Sequence, residues 1–272
     1  MDITKKNNTS KLEYSSILNL RGLFINEDSN LLLSCLEQNL LPLNDEVATK
    51  FLSNIILHIQ FDNVFYTKAF SILNQYNIDK EDIVNNTISS SNYQSLLFLE
   101  KQNFLNFTLS QKLLTLINYH PSSTNNHLLF KKIIIENKIN PLLQKELFTY
   151  ATELSAISFL NIMIKEFGIP TGQLLEELLK TVTFNDQVDV FPLFYIHSSD
   201  NFKTYAKQSF QHSSIDILIY LYFNFSHSDE EVIYFYNLFF DSKFNKTYDS
   251  VLFQRITIDY NISIMKTKIT DF

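Results

Sequence analysis

Glycine is nearly missing from this chain: Gly22, Gly168 and Gly172 are the three examples in 272 residues, where ordinary usage is about 7%. β-rich and doubly wound folds need glycine for turns with φ > 0 and for close backbone approaches. The shortage therefore favours helices joined through Asn, Ser, Asp and Pro. It also excludes the Gly-rich phosphate loops of P-loop and dinucleotide-binding folds. Cys35 is the single cysteine, so neither a disulfide framework nor a cysteine-based metal site can be built, and it reads as a small core hydrophobe. A basic excess is lacking too. Lys and Arg number 22 against 29 Asp and Glu, a net charge of −7, which argues against unassisted, nonspecific DNA binding and leaves room only for a local basic groove. No apolar run reaches membrane-spanning length, "IDILIYLYFNF" being too short. The opening "MDITKKNNTSKLEYSS" has neither the apolar run of a secretory signal nor the Arg-rich, acid-free make-up of an organellar presequence.

What is abundant is apolar and aromatic. Hydrophobic residues make up 45%, with 25 Phe, 14 Tyr and no Trp, so the chain can bury a sizeable core. Helical spacing dominates. In "NLLLSCLEQNL" Leu32, Leu33, Leu36 and Leu40 share a face, and in "DEVATKFLSNIILHI" Val47, Phe51, Ile55 and Ile59 lie four apart beside Leu52 and Ile56. Asn44 and Asp45 are candidate N-caps for the latter helix. Leu109, Leu113, Leu116 and Ile117 form another face, which Pro121 ends. Pro141 can open the helix "LLQKELFTYATEL" after "NHLLFKKIIIENK". Later, Ser228 with Asp229, Glu230 and Glu231 reads as a cap and acidic first turn.

The stretch "ISFLNIMIKEFGIPTGQLLEELLKT", Ile157 to Thr181, has the pattern helix, Gly-hydrophobic-Pro stop, helix. Similar stops recur at Asn39, Asn77, Asn103, Lys138 and Gly168, spaced by 38, 26, 35 and 30 residues, about 32 on average. Asn and Gly tolerate the left-handed conformation that ends helices, so the recurrence has a physical cause. It predicts a divergent array of helical pairs: an all-α, right-handed α-solenoid over residues 30–245, after a polar segment and lead-in helix at 1–29. The last segment, 246–272, departs from this. In "RITIDYNISI" the apolar Ile256, Ile258, Tyr260, Ile262 and Ile264 alternate with polar residues, which is strand periodicity. A strand there would pair with another segment or chain, unless helical packing overrides the pattern.

With these stops in hand, "FLNIMIKEFGIP" followed by "LLEELL" resembles a pentatricopeptide repeat, whose second helix ends in Gly-Ile-x-Pro. "LLSCLEQNLLP" with "TKFLSNI" and "LLFKKIIIENKINP" with "KELFTYA" are similar. The resemblance covers roughly residues 30 to 180. It implies single-stranded RNA binding, in mitochondria or another organelle, in RNA maturation, stability or translation. Polar side chains on the first helices would line a surface and read splayed-out bases. By position these are Thr49, Gln111, Lys145 and Glu176, lying 10, 8, 7 and 8 residues after their stops, with Lys131 and Lys132 as phosphate contacts.

Catalytic patterns do not stand out. The six histidines form no His-x3-His or His-Glu-x2-His pattern, and there is no Gly-x-Ser-x-Gly elbow. Adjacent Glu176 and Glu177 point in different directions on a helix. The expectation is a binding protein without cofactor, metal or catalytic residues. Three roles stay open: RNA binding, a protein-interaction scaffold that suits the acidic charge and the aromatics, and an inhibitor-type protein that neutralises a basic partner.

Overall fold

A computed structural model describes residues 29–40, 43–58, 62–118, 124–198, 202–240 and 250–270. Among them are 15 helices and no strand. They divide into two units, one ending at Ile139 and the other beginning at Asn140.

The first unit holds α1 (Ser29–Glu37), α2 (Asp45–His58), α3 (Asn63–Leu73), α4 (Lys80–Ser89), α5 (Tyr93–Lys101), α6 (Leu109–Ile117) and α7 (Thr124–Glu136). Its helices pack largely on the next but one: α1 on α3, α2 on α4, and α4 on α6. The expected faces are the buried ones. Leu32 and Leu36 of α1, Val47, Phe51, Leu52, Ile55 and Ile56 of α2, and Leu113, Leu116 and Ile117 of α6 are in the core, while Leu40 is exposed beyond the end of α1. Ile59 and Pro121 lie outside the described residues. Aromatic pairs knit α3 to α5: Tyr66 and Phe70 each meet Phe98 edge-on, at 5.7 and 5.8 Å between ring centres, the arrangement that ring quadrupoles favour.

The second unit holds α8 (Pro141–Glu153), α9 (Ile157–Phe167), α10 (Gln173–Phe184), α11 (Phe191–Tyr195), α12 (Phe202–His212), α13 (Ile215–Asn224), α14 (Asp229–Phe240) and α15 (Ser250–Thr270). Here α8 packs on α10, α10 on α12, and α12 on α14, which in turn packs on α15. The stretch from Ile157 forms the two helices its pattern predicts, α9 and α10, with Gly168 at the C-cap of α9 at φ +87°.

Turns are made as the glycine shortage requires. Left-handed residues follow helices at Asn39, Ser91, Asn103, Ser155, Asp186 and Ser213, so Asn, Ser and Asp take the place of glycine. At several of these ends a backbone N–H reaches back five residues: Leu40 to Cys35, Phe104 to Leu99, Ala156 to Ala151, Gln187 to Val182 and Ser214 to Ser209, at 2.8 to 3.1 Å. These bonds satisfy carbonyls that the helix leaves open. Helix starts are capped as the sequence indicates. Asn44 accepts from Val47 N–H at 2.8 Å, Asn140 precedes Pro141 and accepts from Leu143 N–H at 2.8 Å, and Ser228 and Glu231 cap each other reciprocally.

The C-terminal segment corrects the strand expectation. Residues 256–264 lie inside α15, and no strand pairing through Ile256 to Ile264 exists. Leu252, Ile256 and Ser263 are buried and Tyr260 is half-buried, a set with helical spacing. Tyr260 stacks on Tyr236 of α14 with ring centres 3.7 Å apart. Packing on α14 therefore selects the helical set. The alternation is incidental to it, and Ile258 and Ile262 are left on the exposed side.

Candidate functional site

The residues nominated for RNA contact fall in both units and are largely engaged in holding the fold. Thr49 is buried in α2; its hydroxyl donates to the Asp45 carbonyl at 2.9 Å and accepts from Asp79 N–H at 3.0 Å. That pair of bonds ties α2 to the start of α4. Gln111 is the third residue of α6, where its Oε1 accepts from Thr108 N–H at 2.9 Å in a capping box. Lys145 of α8 meets the Glu177 carboxylate of α10 at 2.8 Å. That contact holds the Glu177 carboxyl below the usual carboxylate range, through the hydrogen bond from Lys145 first and one from Gln173 next. Glu176 is exposed in the first turn of α10, where a carboxylate complements the helix dipole. Lys132 lies 3.8 Å from Glu136 on α7, and Lys131 is half-buried on the same helix. Thr49, Gln111, Lys131 and Lys132 belong to the first unit, Lys145 and Glu176 to the second.

A better-formed concavity lies elsewhere in the second unit, where the end of α13 and the loop after it face α14 and α15. It is a cleft of about 320 Å³ lined by Tyr222, Phe225, His227, Asp229, Arg255, Asp259, Ile262 and Ser263, among others, a size within the small-ligand range. Asp259 is its organising residue. One carboxylate oxygen accepts from the Tyr222 hydroxyl at 2.9 Å and from Arg255 Nε at 2.9 Å. Burial, and then the Asp259 carboxylate, push the Tyr222 phenol far above its ordinary value, so it stays protonated and acts as a donor. Ser263 donates to Asp229 at 2.7 Å, joining α15 to the first turn of α14. The His227 ring stacks on Tyr222 with centres 5.2 Å apart, and its Nε2 lies 3.0 Å from the Tyr222 carbonyl.

Chemically, the cleft joins an aromatic and aliphatic wall to two carboxylates and one guanidinium. His, Cys, Asp and Glu form no metal-holding group of three among the described residues. The sequence reading missed this site because its parts look ordinary in isolation. Asp229 reads as a helix start and Ile262 as part of a strand. The available signal was the i, i+4 pair Arg255–Asp259, which is helical spacing inside the alternating run. No helix among the described residues is long and apolar enough to cross a membrane. In comparisons with known proteins, the chain matches no family model, no curated protein and no solved structure.

Proposed function

We propose that the chain is a non-catalytic helical-repeat protein that holds a protein partner, each unit being a stack of helical hairpins of the α-solenoid type. The solenoid reading is supported by the next-but-one packing and by bonds that recur about one repeat apart. Asp79 bonds to Thr49 across 30 residues, Asn118 to Ile88 across 30, and Ile217 to Asp186 and Tyr234 to Lys203 across 31 each. In a stack whose repeats contact only their neighbours, such a ladder is expected.

One observation favours protein over RNA as the bound species. Lys50, Lys112, Lys132, Lys145 and Arg255 each lie against a carboxylate, whereas large apolar side chains on α15 are exposed. Phosphate binding requires cations that can release counterions; cations already set against carboxylates suit it poorly, and exposed apolar side chains suit a polypeptide. The test is binding of the full chain to a random single-stranded RNA pool at low and high salt. The proposal expects no retention at low salt, where electrostatic attraction is strongest. Retention that weakens as salt rises, with enrichment of a short motif, would replace it with the RNA-reading role implied by the pentatricopeptide resemblance.

A further inference from the structure

On the protein-binding reading just given, we infer that the exposed face of α15, together with the adjoining cleft, is a docking site for a lysine- or arginine-bearing amphipathic helix of another protein. The face has the right period. Val251, Ile258 and Met265 recur every seven residues at 63%, 54% and 64% exposure, with Ile262 beside them at 47%. Apolar side chains seven apart make a straight seam along one side of a helix, the pattern into which a second helix packs its own side chains. A strand or an extended peptide has no matching period. The buried set on the opposite side, Leu252, Ile256 and Ser263, already holds α15 to α14, so the seam is not needed for the fold.

Charge chooses the partner. Ile262 belongs both to the seam and to the cleft wall, so a helix lying on the seam would place side chains at the cleft mouth. There the described ionised groups are Asp229 and Asp259 against Arg255 alone, and Asp259 already engages Arg255. The exposed Glu230 follows Asp229 in the first turn of α14. Counted over α14 and α15, four carboxylates stand against Arg255, Lys266 and Lys268, so the surplus is one negative charge, of the same sign as that of the whole chain at −7. A basic side chain reaching the cleft would meet these carboxylates, with Phe225 and Ile262 flanking its aliphatic stem.

The experiment uses the full chain and two synthetic helical peptides with the same leucine face, one carrying lysines on its polar face and the other glutamates. Binding is read by fluorescence anisotropy for wild type, for an Ile258→Ser/Ile262→Ser double variant and for Glu230→Gln, with sedimentation in parallel. The lysine peptide should bind wild type at least about tenfold more tightly than the glutamate peptide does. The isoleucine variant should lose about tenfold or more, and Glu230→Gln a smaller, salt-sensitive amount. Equal binding of both peptides, or unchanged binding by the isoleucine variant, would overturn the site while leaving a protein partner elsewhere open. A wild-type dimer that the isoleucine variant dissolves would show that a second copy of the chain occupies the seam, and would likewise overturn it. Failure of the protein-binding reading itself would appear separately, as salt-dependent RNA retention by both wild type and the isoleucine variant.

Discussion

The carboxylate of Asp186 caps a helix that begins 29 residues later in the chain. Its two oxygens accept the backbone N–H of Asp216 at 3.1 Å and of Ile217 at 3.0 Å, at the start of α13. Asp186 is itself left-handed at φ +52°, in the turn that ends α10. One residue thus closes one helix and opens another, and this sets the register between neighbouring repeats. Ser214 adds a second tie, its hydroxyl donating to the Thr183 carbonyl from a buried position.

Asp186→Ala removes the cap and leaves a β-carbon in the left-handed conformation without the local polar compensation that Asp offers. The expected loss is about 1–2 kcal/mol, measured by urea unfolding. Asp186→Asn, which keeps one acceptor and tolerates the same φ, should lose less than half of that. Equal losses from both would mean that charge, and not the capping geometry, carries the contribution.

Ser155 and Gly168 should respond in opposite directions to exchange of glycine. Ser155 is exposed at φ +52°, where a side chain is strained, so Ser155→Gly should stabilise by about 0.5–1 kcal/mol. Gly168 sits at φ +87° and ψ 174°, a region reserved almost wholly for glycine. An alanine β-carbon there would meet no atom within 4 Å. The expected loss of about 1–3 kcal/mol for Gly168→Ala is therefore backbone strain alone. A shift of the same sign in both variants would sink this account.

These turns also show how much could be read in the sequence. The helical class, the buried faces of α1, α2 and α6, the caps at Asn44 and Ser228 and the opening of α8 at Pro141 follow from local rules, and so they were legible. The stops at Asn39, Asn103 and Gly168 adopt positive φ as expected, those at Asn77 and Lys138 do not, and Ser91, Ser155, Asp186 and Ser213 do so without having been expected to. Serine and aspartate are common in every kind of loop, so only the backbone identifies these. The end of the chain failed for a different reason. Alternation over Ile256 to Ile264 satisfies a two-residue period, and only the presence of α14 reveals that Leu252 and Ser263 complete a helical one. The cleft was illegible because its residues come from segments more than 30 positions apart, such as Tyr222 and Asp259.

The contact between Lys145 and Glu177 makes a titration prediction. Because the lysine's hydrogen bond lowers the Glu177 pKa, carbon-detected NMR of the side-chain carboxyl should show it titrating below ordinary glutamates in wild type. It should move up towards them in Lys145→Met. The sign for stability follows: a depressed carboxyl favours the fold above its unfolded pKa, and that contribution disappears as pH falls through the folded value. The gap between wild type and Lys145→Met should therefore narrow in acid. An unmoved Glu177 resonance would show that the pair does not persist in solution.

Tyr66 predicts the behaviour at the other end of the pH range. The side chain is 2% exposed, its hydroxyl donating to the Ile55 carbonyl and accepting from the Asn92 amide, each at 3.3 Å. Burial pushes its pKa up from 10.0 to about 12, against the smaller lowering by Ser95 and Asn92. Below pH 10 both folded and unfolded phenols are protonated and nothing changes. Between 10 and about 12 the unfolded chain releases the proton and the folded one retains it, so stability falls with rising pH. The total loss across that window is on the order of 2–3 kcal/mol for this group. Tyr66→Phe should begin less stable at neutral pH by about 1 kcal/mol, having lost the phenol's bonds, yet decline less steeply in alkali. Urea midpoints taken from pH 8 to 11.5 would therefore converge for the two proteins. Parallel curves would assign the alkaline loss to the other tyrosines and the lysines.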